Sequence, residues 1–179
     1  MRPTRPILIA LILSVIALTT TKKASADNLI SESRRALLQL VAQNPAAAKA
    51  KSKAVAVLVF PDVMKAGFIL GAQGGQGILF IHGQPSGRYR TVAASYGLQA
   101  GVQKYGYALF LMNQKAVNWV NNTRGWEIGT GPSVVIVDKG VARSFSTETL
   151  HSGIYAFIFD QQGLMAGLGL QGSKIMRID

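Results

Sequence analysis

The sequence predicts an α+β fold, with amino-terminal helices packed on a glycine-rich antiparallel β-sheet that forms a sandwich or a partly closed barrel. Three observations carry this expectation. A helical stripe precedes all the strand-like runs, the later runs are rich in β-branched and aromatic residues, and one heptapeptide frame recurs four times. The frame starts at Gly67, Gly97, Gly125 and Gly163, with a second glycine four residues later at Gly71, Gly101, Gly129 and Gly167. Glycine weakens a strand unless backbones approach closely or the sheet bends. Read with a period of two, Phe68, Leu70 and Ala72 share one face, while Gly67, Gly71, Gln73 and Gly75 share the other. Each frame therefore reads as a strand with one apolar and one shallow face. The uneven spacing of the four starts argues against a solenoid.

The amino terminus carries Arg2 and Arg5, an apolar stretch from Ile7 to Leu18, and Ala24-Ser25-Ala26. This pattern predicts a secretory signal over residues 1–26, with a single domain over 27–179. Lys22 and Lys23 leave an uncleaved membrane anchor as the alternative, although the stretch is short of the roughly 20 residues a span needs. Cleavage removes four basic side chains and no acidic one, leaving 15 basic and 8 acidic, a net charge of +7. An exported basic domain points to anionic surfaces, with nucleic acid an unexpected partner; the plainer reading of +7 is solubility. With no cysteine in the chain, there is no disulfide framework, thiol nucleophile or thiolate metal site.

From Asp27 to Gln43, Ile30, Leu37, Leu40 and Val41 form a helical stripe, which Asp27 or Asn28 caps and Asn44-Pro45 ends. Ala46 to Lys53 reads as a short basic helix, or as a solvated linker. Val55 to Phe60 is a buried strand ended by Pro61-Asp62. Ile78 to Ile81 is extended, and His82 to Gly87 turns the chain. Tyr107 to Met112 forms a strand, and Asn113 caps a helix over Gln114 to Asn122 that Gly125 follows. Val134 to Val137, Asp138-Lys139-Gly140 and Val141 to Phe145 read as a hairpin. Strands at Ile154 to Phe159 and Ile175 to Ile178 finish the chain.

Catalytic signatures are weak. Gly167-Leu168-Gly169-Leu170-Gln171-Gly172 matches a dinucleotide fingerprint as a string, but only seven residues follow it, and the βαβ context is missing. His82 and His151, the only histidines, make no zinc pair. Asp62, Glu127, Asp138 and Asp160 are the carboxylates from which a hydrolytic pair would be drawn, although turn and solvated roles suit them better. No enzymatic activity and no cofactor are expected.

Phe60-Pro61-Asp62-Val63-Met64-Lys65-Ala66-Gly67, the run Gly71 to Gly77, Ser95-Tyr96-Gly97-Leu98-Gln99-Ala100-Gly101 and Gly169 to Ile175 together resemble the SYLF domain. The resemblance covers residues from about Leu29 to Ile178, with the blocks in the family's order. It implies lipid binding through an amino-terminal helical segment, as in eukaryotic members. Actin binding, a property of yeast members, is not expected of an exported bacterial-type chain. The physical counterparts in this sequence are Arg34, Arg35, Lys49, Lys51, Lys53 and Lys65, expected to contact an anionic lipid or membrane surface in the cell envelope. The stripe at Leu37, Leu40 and Val41 either packs on the sheet or inserts into lipid. The alternative function is a structural or stress-related envelope protein that binds a protein partner through its Gly/Gln faces.

Overall fold

The computed structural model describes residues 6–67, 70–96, 101–122, 125–128, 132–137, 153–163, 170 and 172–179. Two helices, α1 (Pro6–Gln43) and α2 (Pro45–Lys53), precede four long strands. These are β1 (Ala56–Gly67), β2 (Leu70–Ile81), β3 (Gln84–Tyr96) and β4 (Gly101–Leu111). Helix α3 (Gln114–Asn122) follows, then β5 (Trp126–Glu127), β6 (Val134–Val137), β7 (Ile154–Gly163) and β8 (Lys174–Arg177). The strands form one curled half-barrel sheet of order β5-β8-β3-β2-β1-β4-β7-β6. The α+β fold with a partly closed barrel is therefore the one that the glycine frames and helical stripe predict.

Helix α1 runs without a break from Pro6, so Asp27 lies inside it rather than capping its start. The reason is local: Thr19 to Asn28 contains neither glycine nor proline, and a nucleated helix propagates until something stops it. Among the described residues, no helix is long and apolar enough to cross a membrane. Asn44 separates α1 from α2, and its side-chain oxygen accepts from the Ala46 and Ala47 amides at 3.0 and 3.1 Å. Asn113 does the same for α3, accepting from Ala116 at 2.9 Å.

Strand β1 does not end at Pro61. It passes through Pro61-Asp62 and continues to Gly67, in the middle of the sheet. Proline has no N–H for a ladder, so a central strand tolerates it only where pairing is interrupted. Pairing to β2 jumps from Val59↔Ile78 to Asp62↔Gln76, and pairing to β4 jumps from Phe60↔Tyr107 to Val63↔Tyr105. One extra residue in β1 is thus absorbed as a bulge against both neighbours. The neighbours make room with glycine. A side chain at Gly77 would strike the Val59 carbonyl and the Phe60 ring, and one at Gly106 would strike the Phe159 ring and the Pro61 carbonyl.

The described parts of the frames lie in strands, at or near strand ends. Gly67 closes β1 opposite Gly71 of β2 and Gly101 of β4, and Gly163 closes β7 opposite Gln103. Three of the four frames thus meet at one end of the sheet. Residues 68–69, 97–100, 129–131 and 164–169 of the frames, and residues 138–145 of the expected hairpin, lie outside the described residues. The described part of that hairpin, β6, pairs in parallel with β7, the one departure from an antiparallel sheet among the described strands.

Two apolar layers cover the sheet. On the inner face, Leu58, Phe60, Leu79, Tyr89, Tyr107, Leu109 and Ile175 join strands from both edges and meet Val117 and Val120 of α3. On the outer face, Val57, Val59, Phe80, Phe110 and Phe157 pack against Leu37 and Leu40 of α1 and Ala47 and Ala50 of α2. The stripe at Leu37 and Leu40 is therefore buried in this fold, each full leucine burial contributing about 1.5–3 kcal/mol. Phe60 and Tyr107 stack with centroids 4.7 Å apart, and Phe110 meets Phe157 edge-on at 5.1 Å.

Candidate functional site

The six basic candidates do not form one patch. Arg34 is committed to the fold, its guanidinium lying 5.2 Å over the Phe80 ring and donating to the Gly83 carbonyl at 3.2 Å. It ties α1 to the β2–β3 turn. Arg35, Lys51 and Lys53 are exposed, and Lys49 is half-buried. With Ala46, Ala47 and Ala50 against the sheet, Lys49 and Lys53 are one turn apart on one flank of α2 and Lys51 is on the other. Lys51 and Lys53 also sit in the last turn, where positive charge stabilises the helix dipole. None of Arg35, Lys49, Lys51 and Lys53 joins an ion pair among the described residues, where Lys104–Asp62 and Arg177–Asp179 are the pairs formed.

Lys65 belongs to the opposite side of the sheet. Before the bulge, the inner-facing residues of β1 are Ala56, Leu58 and Phe60; after it, Val63 is inner-facing, and Lys65 follows with it. Lys65 pairs directly with Gln73 of β2 and Gln103 of β4, so three polar side chains stand abreast on the inner face. Gln73 and Gln103 are only 8% and 4% exposed. These glutamines of the Gly/Gln face thus line the interior, and do not form a flat outer surface for a protein partner.

The inner row is hydrogen-bonded at its floor. The Tyr105 hydroxyl donates to Gln73 Oε1 at 2.9 Å, and Gln73 Nε2 donates to Ser173 Oγ at 2.8 Å. Gly75 and Gly77 leave the inner face of β2 without side chains, and the space is taken by β1, where a Cβ at Gly75 would strike the Asp62 carbonyl and Val63, and one at Gly77 the Val59 carbonyl and the Phe60 ring. The Tyr105 and Tyr107 rings lie 6.3 Å apart. Burial pushes the Tyr105 phenol up to about 12. Burial also raises Tyr107 strongly, with the nearby Thr91 hydroxyl opposing the shift and Tyr105 adding to it. Three buried atoms here, Thr91 Oγ1, Tyr107 Oη and Gln103 Oε1, have no hydrogen-bond partner among the described residues.

A separate groove of about 340 Å³ opens beside the start of α3, lined by Asn113, Lys115, Ala116, Trp119, Pro132, Ser133 and Gly153. Trp119, an indole on a short helix that the sequence reading passed over, lines this groove and remains 38% exposed.

The carboxylates do not assemble. Asp62 is on the outer face, paired with Lys104 at 2.9 Å; Glu127 lies beside Lys174 at the other edge of the sheet, and Asp160 is an exposed residue of β7. Asp138 and His151 fall outside the described residues, and His82 is exposed in the β2–β3 turn. Among the described residues, no three His, Cys, Asp or Glu side chains gather as a metal site.

A helix-braced half-barrel with a polar inner end and cationic helices on its back defines a class of binding domain. Residues 92–179 match the family model Ysc84, described as Las17-binding protein actin regulator, and the chain carries this SYLF domain. The match begins within β3 and takes in the blocks around Ser95–Gly101 and Gly169–Ile175. The strands it covers are joined through β1 and β2, which lie between β3 and β4 in the sheet. No curated protein matches the chain.

Proposed function

We propose that the protein is a non-enzymatic module that binds anionic lipid surfaces of the cell envelope, reached by export with removal of residues 1–26. SYLF domains have lipid- and actin-binding roles, and of these the lipid role suits a basic chain bearing a secretory-type amino terminus. The observation that carries the reading is the set of cations on α1 and α2, Arg35, Lys49, Lys51 and Lys53, which no acidic side chain neutralises among the described residues. Each such group near an anionic bilayer contributes about 1 kcal/mol, enough in combination for reversible docking.

Co-sedimentation with vesicles of neutral and of anionic lipid, at low and high salt, tests it. Salt-sensitive binding to the anionic vesicles alone is the expected result, weakened by charge reversal of Lys49, Lys51 and Lys53 together. Equal recovery with both vesicle types, or none with either, would sink the reading.

A further inference from the structure

We propose that the groove beside the start of α3 binds one ring of an acidic saccharide, with the indole face of Trp119 against the ring's C–H groups and the Lys115 ammonium on its carboxylate. The site is independent of the lipid-binding reading above and uses none of the lysines of α2.

The walls are tied together by bonds among described residues. The Met112 amide donates to the Gly153 carbonyl at 2.9 Å, joining the end of β4 to the start of β7. The Ile154 amide donates to the Ser133 carbonyl at 3.2 Å, joining β7 to the start of β6. The Ala116 amide donates to Asn113 Oδ1 at 2.9 Å, which caps the first turn of α3. A groove held in this way does not need to be ordered when a ligand arrives. Its volume of about 340 Å³ falls at the small end of ligand sites, which span about 300–1,000 Å³. That suits a single ring of a polymer, and not a docked helix.

Gly153 points to the same use. Its φ lies outside the left-handed region that calls for glycine. A Cβ there would meet the Pro132 Cβ, Asn113 Nδ2 and Ala116 Cβ at 3.7, 3.8 and 4.0 Å, ordinary contact distances. Neither backbone conformation nor crowding therefore demands glycine. All three atoms belong to residues that line the groove, so a side chain at 153 would stand inside it. Its absence keeps the groove open.

The lining selects the ligand. Trp119 and Lys115 are one turn apart on α3, whose Ala116, Val117 and Val120 are buried. The partly exposed indole offers an apolar platform with a negative face, which attracts the slightly positive C–H groups of a pyranose. Around it the rim is rich in donors. Asn113 uses its carbonyl in the helix cap and is left with Nδ2, and Lys115 has only N–H groups to give. Such a rim matches a ligand whose outer atoms are oxygens, and not a nucleobase, whose edge mixes donors and acceptors. Lys115 is exposed and joins no ion pair among the described residues, and no described carboxylate lines the groove. An acidic sugar is favoured over a neutral one for that reason.

The test titrates the full chain with the trimer of galacturonic acid, with its methyl ester and with adenosine monophosphate, read by calorimetry and tryptophan fluorescence. Trp126 is 2% exposed, so a ligand-induced change in emission reports on Trp119. The acid trimer is expected to bind and shift the emission, with the ester weaker by up to about fivefold, the value of one exposed charge contact. Lys115→Gln should bind acid and ester alike. Trp119→Ala should weaken binding about tenfold. Gly153→Leu should abolish it at an unchanged urea midpoint; if that midpoint falls, Lys115→Gln decides, through its loss of preference for the acid.

No binding of the acid trimer by the wild-type chain overturns the site, as does binding that survives both Trp119→Ala and Gly153→Leu. Equal affinity for acid and ester, or tighter binding of adenosine monophosphate, overturns the acidic-sugar assignment.

Discussion

Tyr105 of β4 reaches over β1 to donate a hydrogen bond to Gln73 of β2, two strands away, at 2.9 Å. The bond spans the bulged strand and ties its two neighbours together. Tyr105→Phe would leave the Gln73 carbonyl buried without this donor, at a cost of about 1–3 kcal/mol. Urea denaturation should show a lower midpoint with an unchanged slope; an unaltered midpoint would mean that the carbonyl has found water.

The same phenol makes the fold sensitive to alkali. Its folded pKa is raised to about 12 from the ordinary 10.0 by burial. The stabilisation this represents is fully present below pH 10, because both states then hold the proton. It is lost as pH rises from the unfolded value through the folded one, where the unfolded chain has released the proton and the folded chain still binds it. Stability should fall over that window, with phenolate absorbance lagging behind that of a free tyrosine. Tyr105→Phe should flatten the slope in part, Tyr107 supplying a further contribution of the same sign.

Glycines in this sheet are not equivalent. Gly77→Ala places a methyl group against the Val59 carbonyl and the Phe60 ring, neither of which can withdraw without moving the bulge. Overpacking of this kind costs about 1–3 kcal/mol or more. Gly74→Ala meets only the Thr91 carbonyl, at an ordinary 3.7 Å, and should be nearly neutral. Thermal unfolding of the pair checks the contrast, and equal melting temperatures would refute it.

Arg34 and Arg35 are adjacent and both exposed, yet only Arg34 touches the sheet. Arg34→Ala should destabilise by about 1 kcal/mol through loss of the ring contact and the Gly83 bond. Arg35→Ala should leave stability unchanged and reduce anionic-vesicle binding. Equilibrium unfolding and co-sedimentation on the two variants separate the structural arginine from the binding one.

Short-range chemistry was legible in the sequence. Asn113 caps its helix as its side chain requires, Asn44-Pro45 ends α1, Gly125 adopts a positive φ of 101° after α3, and the run from Val55 to Phe60 opens a buried strand. What escaped was phase. Pro61-Asp62 carries the ordinary signature of a strand end, and only the pairing on both sides shows that the ladder skips a residue and resumes. Lys65 therefore stood beside the helix lysines in sequence, and lies across the sheet from them in space. Gln73 and Gln103 escaped for a related reason. Spacing places them on one face, but their burial depends on Tyr105 and Ser173, which are brought in from remote parts of the chain.

Because sides alternate along β1, Lys65 faces inward while the bulge absorbs one residue between Phe60 and Val63. Deleting that one residue would regularise the ladder and leave Lys65 opposite Gln73 and Gln103. Inserting another without a second bulge would turn over the remainder of the strand, handing Lys65 to the helix side and Met64 to the interior. The strand thus tolerates a shortening at this point that it would not tolerate as a lengthening.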